Sequence, residues 1–237
     1  MAVIIDKFID TETLKTLDSL KINYYKSASI DSLYTPVNTH PDMQIHFIND
    51  TTAVCAPCVY THYKNTLPCH IDLIKGNADP CDTYPGDCAY NIAILGKRLI
   101  GNLEYVDDAL KTIYSNLGYE FINVKQGYSK CNLCIIDANS AITEDEGLYK
   151  ILTKHGIDVL KIKNGEISLK NFPYGFIGGT SGFIKEKTLG FCGNLSIHSE
   201  YDSIKSFITS KGISIIHLSQ TQLGDFGSLL YFNDIPV

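Results

Sequence analysis

The sequence lacks a long apolar run and an excess of basic residues. No stretch approaches twenty consecutive apolar residues, which predicts that no helix of the protein spans a membrane. Asp and Glu number 26 against 20 Lys and Arg, giving a net charge of −6 at pH 7, whereas a nucleic-acid surface needs a basic face. We therefore expect neither a membrane nor a nucleic acid as a partner.

The first residues also lack the basic and then apolar segments of a secretion signal, which favours a cytoplasmic protein. In that reducing compartment the eight cysteines are expected to be thiols rather than a disulfide framework. Hydrophobic residues make up 44% of the chain and charged residues 19%, ordinary values for a globular protein with a sizeable core. The composition does not predict an oligomeric state.

A helix that runs into a strand recurs along the chain. Three stretches share an acidic or hydroxyl start, apolar residues at three- and four-residue spacing, a glycine and an alternating strand: 104–124, 143–162 and 199–218, with Gly118, Gly156 and Gly212 after the helices. Residues 10–25 form a fourth helix–strand pair without the glycine. Thr143 with Glu146, and Ser199 with Asp202, have the spacing of capping boxes at the helix starts.

A turn followed by an apolar strand is the second recurrent feature. Five residues at these turns lie 45, 44, 49 and 45 positions apart: Asp42, Asp87, Cys131, Thr180 and Asp225. The steps predict five strand–strand–helix–strand units that start near 40, 85, 129, 177 and 223. The last unit lacks a helix and residues 1–35 lack a first strand, so the two ends together complete it and close a ring. The sequence therefore predicts one α/β domain over residues 1–237.

Five such units in a ring resemble the pentein fold, the α/β-propeller of the guanidino-group-modifying enzymes. That superfamily includes deiminases, dimethylarginine hydrolases and amidinotransferases, and also a non-catalytic ribosome anti-association factor. The chain further resembles a clostridial-type group assigned to the same fold, through HPDMQIH (40–46), VKQGYSKCNLCIID (124–137) and YGFIGGTSG (174–182). The resemblance covers essentially the whole chain and implies a five-bladed propeller of ββαβ repeats.

The deiminases of that superfamily carry a Gly-Gly-Asp strand, a His-x-Asp strand in the next unit and a nucleophilic cysteine two units further on. Leu223-Gly224-Asp225, His40-Pro41-Asp42 and Ser129-Lys130-Cys131 resemble these elements in the same cyclic order. The linear order is rotated, the cysteine lies mid-chain, and Gln222-Leu223 replaces a deiminase glutamate. These departures concern the specificity for guanidinium more than the fold.

The resemblance implies a Cys/His-dependent hydrolase or amidinotransferase that acts on a guanidine or related C–N substrate. Its catalytic candidates are Cys131 as nucleophile, His40 as acid/base and Asp225 as a partner of the cationic group. The substrate-binding candidates lie at the starts of strands: Asp42, Asp87, Asn91 and Thr180. The alternative is a non-catalytic pentein scaffold that binds a protein or a small ligand. Thiol reactivity distinguishes the two, because a catalytic cysteine should alkylate below the ordinary thiol pKa.

Cys131 also has support from its own surroundings. It lies where a turn enters a strand, and the charge of Lys130 beside it would favour a thiolate. The alternative is that Cys131 is a small buried hydrophobic residue. Cys88, at the equivalent start in the neighbouring unit, is the rival nucleophile. His40 is either the general acid/base or a histidine of a surface loop.

No metal and no cofactor are expected. Two CxxC pairs, Cys55–Cys58 and Cys131–Cys134, have the form of zinc knuckles, but 72 residues separate them and the pleat of a strand would part the second pair of sulfurs. The run 178–182 lacks the Gly-Lys-Ser/Thr ending of a phosphate loop and predicts a sharp bend or a close approach at the ring centre. The remaining histidines are interpreted as surface or core residues: His46, His62, His70, His155, His198 and His217.

Overall fold

A computed structural model describes residues 1–234, so the end of the predicted domain, 235–237, lies outside the described residues. The strands are β1 Ala2–Ile5, β2 Asn23–Lys26, β3 Ile45–Asn49, β4 Thr52–Cys55, β5 Asp72–Lys75, β6 Ala93–Leu95, β7 Arg98–Gly101, β8 Glu120–Asn123, β9 Cys134–Asp137, β10 Ser140–Thr143, β11 Asp158–Lys161, β12 Ser181–Lys185, β13 Thr188–Phe191, β14 Ser214–His217 and β15 Leu230–Phe232. The helices are α1 Thr11–Ser19, α2 Tyr60–Thr66, α3 Asp108–Asn116, α4 Ser129–Asn132, α5 Glu146–Lys154 and α6 Tyr201–Ser210. None of these helices has the length and apolar character needed to cross a membrane.

The strands form five three-stranded sheets with one common topology. The strand orders are β3-β4-β5, β6-β7-β8, β9-β10-β11, β12-β13-β14 and β15-β1-β2. In each sheet the middle strand pairs antiparallel with the first strand and parallel with the third. A helix joins the middle and third strands, because parallel neighbours need a crossover connection. The predicted strand–strand–helix–strand unit is confirmed in all five sheets.

The fifth sheet unites the two ends of the described chain. β15 pairs antiparallel with β1, with Leu230 opposite Ile4, and β1 pairs parallel with β2. The prediction that the C-terminal strand shares a sheet with the strand after the first helix is therefore confirmed. First strands of neighbouring units contact one another, as β6 with β9, β9 with β12, β12 with β15 and β15 with β3. The first strands thus surround the centre of the ring.

Left-handed residues follow four of the crossover helices. The φ angles are +71° at Gly118, +73° at Gly156 and +73° at Gly212, as the sequence predicts. After α1, where no glycine is present, Lys21 adopts the same conformation with φ +56°. The repeat therefore extends to the backbone geometry of the helix ends.

The starts of α5 and α6 differ from the predicted capping boxes. Asp145 is the N-cap of α5, and its Oδ1 atom accepts from the N–H of Leu148 at 2.7 Å. Thr143 cannot cap because it is the last residue of β10. Helix α6 begins after Glu200 without a side-chain cap, and the Ser199 hydroxyl donates instead to Glu166.

Apolar residues four positions apart attach the crossover helices to their sheets. Each of three helices buries such a pair: Leu110 and Tyr114 of α3, Leu148 and Leu152 of α5, and Ile204 and Ile208 of α6. This spacing places both members of a pair on one helix face. With the helices packed outside, the turns that precede the first strands meet near the ring axis.

Candidate active site at the ring centre

Cys131 lies in α4, a single helical turn that leads into β9, so it lies where a turn enters a strand, as expected. The backbone N–H groups of Lys130 and Cys131 both donate to Oδ1 of Asn91, at 2.8 and 3.2 Å. The Nδ2 group of Asn91 donates to the Cys131 sulfur at 3.1 Å. Asn91 therefore positions both the backbone and the sulfur of Cys131.

A buried carboxylate lies against the same sulfur. The Cys131 thiol donates to Oδ2 of Asp42 at 2.9 Å, and the Ser228 hydroxyl donates to that oxygen at 2.7 Å. Oδ1 of Asp42 is buried without a hydrogen-bond partner among the described residues. Burying a polar atom unpaired is costly, so a donor group of a ligand would satisfy this oxygen.

His40 and Asp225 complete the group around Cys131. His40 Nδ1 lies 3.8 Å from Asp225 Oδ1, and both side chains are buried. One nitrogen of His40, the Cys131 sulfur and one oxygen of Asp225 all lie within 4.8 Å of one another. His40 is thus not in an exposed loop. Cysteine, histidine and carboxylate are also a donor set that zinc accepts, so these three residues could hold a metal.

Two adjacent glycines allow backbone segments to meet beside this group. A Cβ atom on Gly179 would lie 2.0 Å from Oδ1 of Asp225, and one on Gly178 would lie 2.3 Å from the carbonyl oxygen of Lys130. The Gly179 N–H donates to the carbonyl of Cys131 at 2.8 Å. The close approach predicted for the glycine-rich run is confirmed.

A cavity of about 260 Å³ lies over these side chains. Its polar lining is His40, Cys131 and Asp225. The rest is apolar or aromatic: Val37, Met43, Tyr128, Leu169, Phe172, Pro173, Tyr174 and Phe176. Five of these residues belong to 169–176, a segment between β11 and β12 that we call the strap. A cleft of about 740 Å³ adjoins the cavity and shares His40, Leu169 and Asp225 with it.

Burial and neighbouring charge set the protonation of the site. Burial raises the pKa of the Cys131 thiol well above its ordinary value, and Asp42 and Asp225 add to the rise. Burial also raises the pKa of Asp225, which His40 partly lowers and Asp42 raises further. The expectation that Lys130 favours the thiolate is wrong, because burial and the two carboxylates raise the thiol pKa and Lys130 lines another pocket together with His46.

All four predicted substrate-binding residues lie outside the cavity lining: Asp42, Asp87, Asn91 and Thr180. Asp42 and Asn91 contact the Cys131 sulfur instead. Oδ2 of Asp87 accepts from the Tyr128 hydroxyl at 2.5 Å, so Asp87 reaches the cavity only through that ring. The Thr180 hydroxyl donates to the carbonyl of Cys192 at 3.1 Å, within its own unit. Of the five anchor residues only Cys131 and Asp225 line the cavity, so the predicted convergence of all five on one cavity is not observed.

The rival nucleophile Cys88 is buried elsewhere. Its thiol donates to the carbonyl of Pro85 at 2.8 Å. Burial, together with Asp87, raises the pKa of Cys88 to about 12. Cys88 does not belong to the lining of the cavity that contains His40 and Asp225.

The sequence was compared with models of known protein families. From residue 4 to residue 230 the sequence matches the model of the family of unknown function DUF6873. The chain belongs to that family. No curated protein matches the sequence significantly.

Solved structures define the fold of this family member. A dimethylarginine hydrolase (DDAH) from Pseudomonas aeruginosa, complexed with citrulline, is 9% identical with a TM-score of 0.56, over 92% of this chain and 91% of that one. An amidinotransferase of saxitoxin biosynthesis from Microseira wollei is 10% identical with a TM-score of 0.55, over 100% and 95%. The inosamine-phosphate amidinotransferase of Streptomyces griseus is 11% identical with a TM-score of 0.55, over 95% and 81%. The fold is the pentein fold, as the sequence predicts.

The aromatic wall of the cavity escaped the sequence analysis. The strap lies in the connection between two units, outside the helices and strands that repeat, and its one signal is the closely spaced aromatic run Phe172-Pro173-Tyr174-Gly175-Phe176. Ser228 was also missed, because its contact with Asp42 depends on a φ angle of +69° just after Gly227.

Proposed function

We propose that residues 1–237 act as one domain, a Cys/His-dependent enzyme of the guanidino-group-modifying type, hydrolase or amidinotransferase. The observation that carries this proposal is the grouping of Cys131, His40 and Asp225 within 4.8 Å at the wall of a cavity. The unpaired Oδ1 of Asp42 adds a second carboxylate suited to a planar cation. Structures of the same fold include amidinotransferases and a protein complexed with citrulline.

Binding of the cation lowers the pKa of the Cys131 thiol. A guanidinium between Asp42 and Asp225 donates charge-assisted hydrogen bonds to both carboxylates. It also neutralises the two negative neighbours that raise the pKa of the Cys131 thiol. The thiol proton then passes to His40, and the thiolate becomes available for attack.

The chemistry proceeds through a covalent intermediate. The thiolate adds to the central carbon and forms a C–S bond, and the C–N bond to the leaving amine breaks as His40 returns the proton to that nitrogen. Water in a hydrolase, or an acceptor amine in a transferase, then attacks the same carbon. His40 takes the proton of the attacking group, and cleavage of the C–S bond releases the product.

An assay of amine release from guanidino compounds tests the proposal. Cys131→Ser should abolish turnover with an unchanged circular dichroism spectrum, because serine has a similar shape but is a far poorer nucleophile. Asp225→Asn should raise KM at least about tenfold, because it removes a charge-assisted bond. Cys88→Ser is the matched control and should keep full activity. Activity that survives in Cys131→Ser but disappears in Cys88→Ser would contradict the assignment.

A second candidate function is a non-catalytic scaffold that binds a small cation. The raised pKa of Cys131 favours it, because the unliganded protein holds a neutral thiol. In that case Cys131→Ser would bind the cation as tightly as the wild-type protein does, and neither protein would release an amine.

A further inference from the structure

The charged groups around the cavity are mainly of one sign. Asp225 lines the cavity, Asp42 accepts a hydrogen bond from the Cys131 thiol, and no Lys or Arg of residues 1–234 belongs to the lining. A carboxylate of a ligand would lose its water here and face Asp225 without a cationic partner. Such burial of an uncompensated anion is strongly unfavourable.

The adjoining cleft offers a carboxylate no better position. Its charged lining consists of Asp6, Asp31 and Lys170, in addition to the shared His40 and Asp225. Lys170 is solvent-exposed, and an exposed ion pair contributes little to binding. Neither the cavity nor the adjoining cleft therefore favours an anionic group on the ligand.

The strap contributes partly exposed aromatic side chains to the cavity. Phe172 is 44% exposed and Tyr174 is 36% exposed, although both line the cavity. The Phe176 ring centroid lies 6.0 Å from that of Tyr174 and 6.5 Å from that of Tyr128, so the aromatic wall is continuous. An apolar tail against this wall would remove both exposed rings from water.

We propose that the ligand of this site is a monocation with a neutral, apolar tail, such as an alkyl- or arylalkylguanidine, and not an amino acid. This inference rests on the proposed function, which places the cationic head between Asp42 and Asp225. The tail lies along the strap, where Phe172 and Tyr174 determine specificity. Ligands with a carboxylate are disfavoured, because no Lys or Arg of residues 1–234 lines the cavity to pair with it.

Calorimetric binding to full-length Cys131→Ser, which cannot turn a substrate over, tests the inference with guanidinium, benzylguanidine and arginine. Benzylguanidine should bind at least about tenfold tighter than either other probe. Phe172→Ala and Tyr174→Ala should each reduce that advantage over guanidinium severalfold while leaving guanidinium binding unchanged. Lys170→Met is the control and should change none of the three affinities.

The possible failures are distinguishable. Arginine binding as tightly as benzylguanidine, and weakened by Lys170→Met, would overturn the inference on the tail and leave the proposed function standing. Equal affinity of guanidinium and benzylguanidine would also overturn it. Failure of all three probes to bind, with no amine release by the wild-type protein, would overturn the proposed function as well.

Discussion

The thiol of Cys131 donates a 2.9 Å hydrogen bond to Oδ2 of Asp42, so a carboxylate holds the candidate nucleophile in its neutral form. Burial and this carboxylate together raise the thiol pKa. The reactivity of the sulfur is therefore tied to the charge of Asp42, which a bound cation would neutralise.

Removing that charge should make the sulfur more reactive. Asp42→Asn deletes a negative neighbour, and since a negative neighbour raises a thiol pKa, the pKa of Cys131 should fall. Alkylation followed by peptide mapping against pH should show a midpoint at least about one unit lower than in the wild-type protein. Asp18→Asn, an exposed substitution in α1, is the control. An unchanged or higher midpoint for Asp42→Asn would refute the coupling.

Loss of the Asn91 amide should destabilise the site. In Asn91→Ala the backbone N–H groups of Lys130 and Cys131 lose the acceptor that they share. Because the Cys131 N–H is buried and the Lys130 N–H is partly buried, the free energy of unfolding should fall by about 1–3 kcal/mol in urea denaturation. Asn102→Ala removes only a surface hydrogen bond to the carbonyl of Lys125 and should cost under about 0.5 kcal/mol. Equal costs would show that Asn91 is not a positioning residue.

Glu144 should make stability depend on pH. Burial raises its pKa to about 8, although the N–H of Ile177 donates to it and opposes the rise. A raised carboxyl pKa means that the folded protein binds the proton more tightly than the unfolded chain. The stabilisation is therefore complete below the unfolded pKa and is lost as the pH rises through about 8.

Glu144→Gln keeps the shape and cannot titrate. The difference in free energy of unfolding, Glu144→Gln minus wild type, should increase by roughly 1–2 kcal/mol from about pH 5 to pH 9, because only the wild-type protein loses stability as Glu144 ionises. Chemical denaturation at several pH values measures this difference. A difference that stays constant over the range would mean that Glu144 is ionised throughout.

Gly179→Ala should disturb the site by a purely steric route. The new Cβ atom would lie 2.0 Å from Oδ1 of Asp225, so the carboxylate must leave the N–H groups of Phe176 and Gly227. We expect a loss of at least about 2 kcal/mol in thermal or urea unfolding, together with weaker cation binding. Gly118→Ala meets no atom within 4 Å and should cost only about 1 kcal/mol, from its left-handed backbone. Equal losses would contradict the steric explanation.

The fold could be predicted from the sequence because each unit repeats the same order of secondary-structure elements. A helix, a left-handed residue and a strand give a periodic pattern, and Gly118, Gly156 and Gly212 mark its ends. Ring closure was predictable because β15 and β1 each carry a part of a unit that the other end lacks. The cyclic order of three short motifs then brought Cys131, His40 and Asp225 into one neighbourhood.

The fine geometry of the site could not be predicted for physical reasons. Helix α4 has four residues, too few to leave a helical period in the sequence. Burial, Asp42 and Asp225 raise the pKa of Cys131, opposite to the shift expected from Lys130, which lines a different pocket. The bonds of Asn91 to α4 span about forty residues and depend on how two units pack.

The most direct test of the proposed chemistry is a search for the covalent intermediate on the cysteine. Wild-type protein is incubated with an alkylguanidine, quenched in acid and mapped by peptide mass spectrometry. The proposed chemistry predicts an amidino adduct on the peptide that contains Cys131, and no adduct in Cys131→Ser. An adduct on Cys88 instead, or none on Cys131 under conditions in which amine is released, would contradict it.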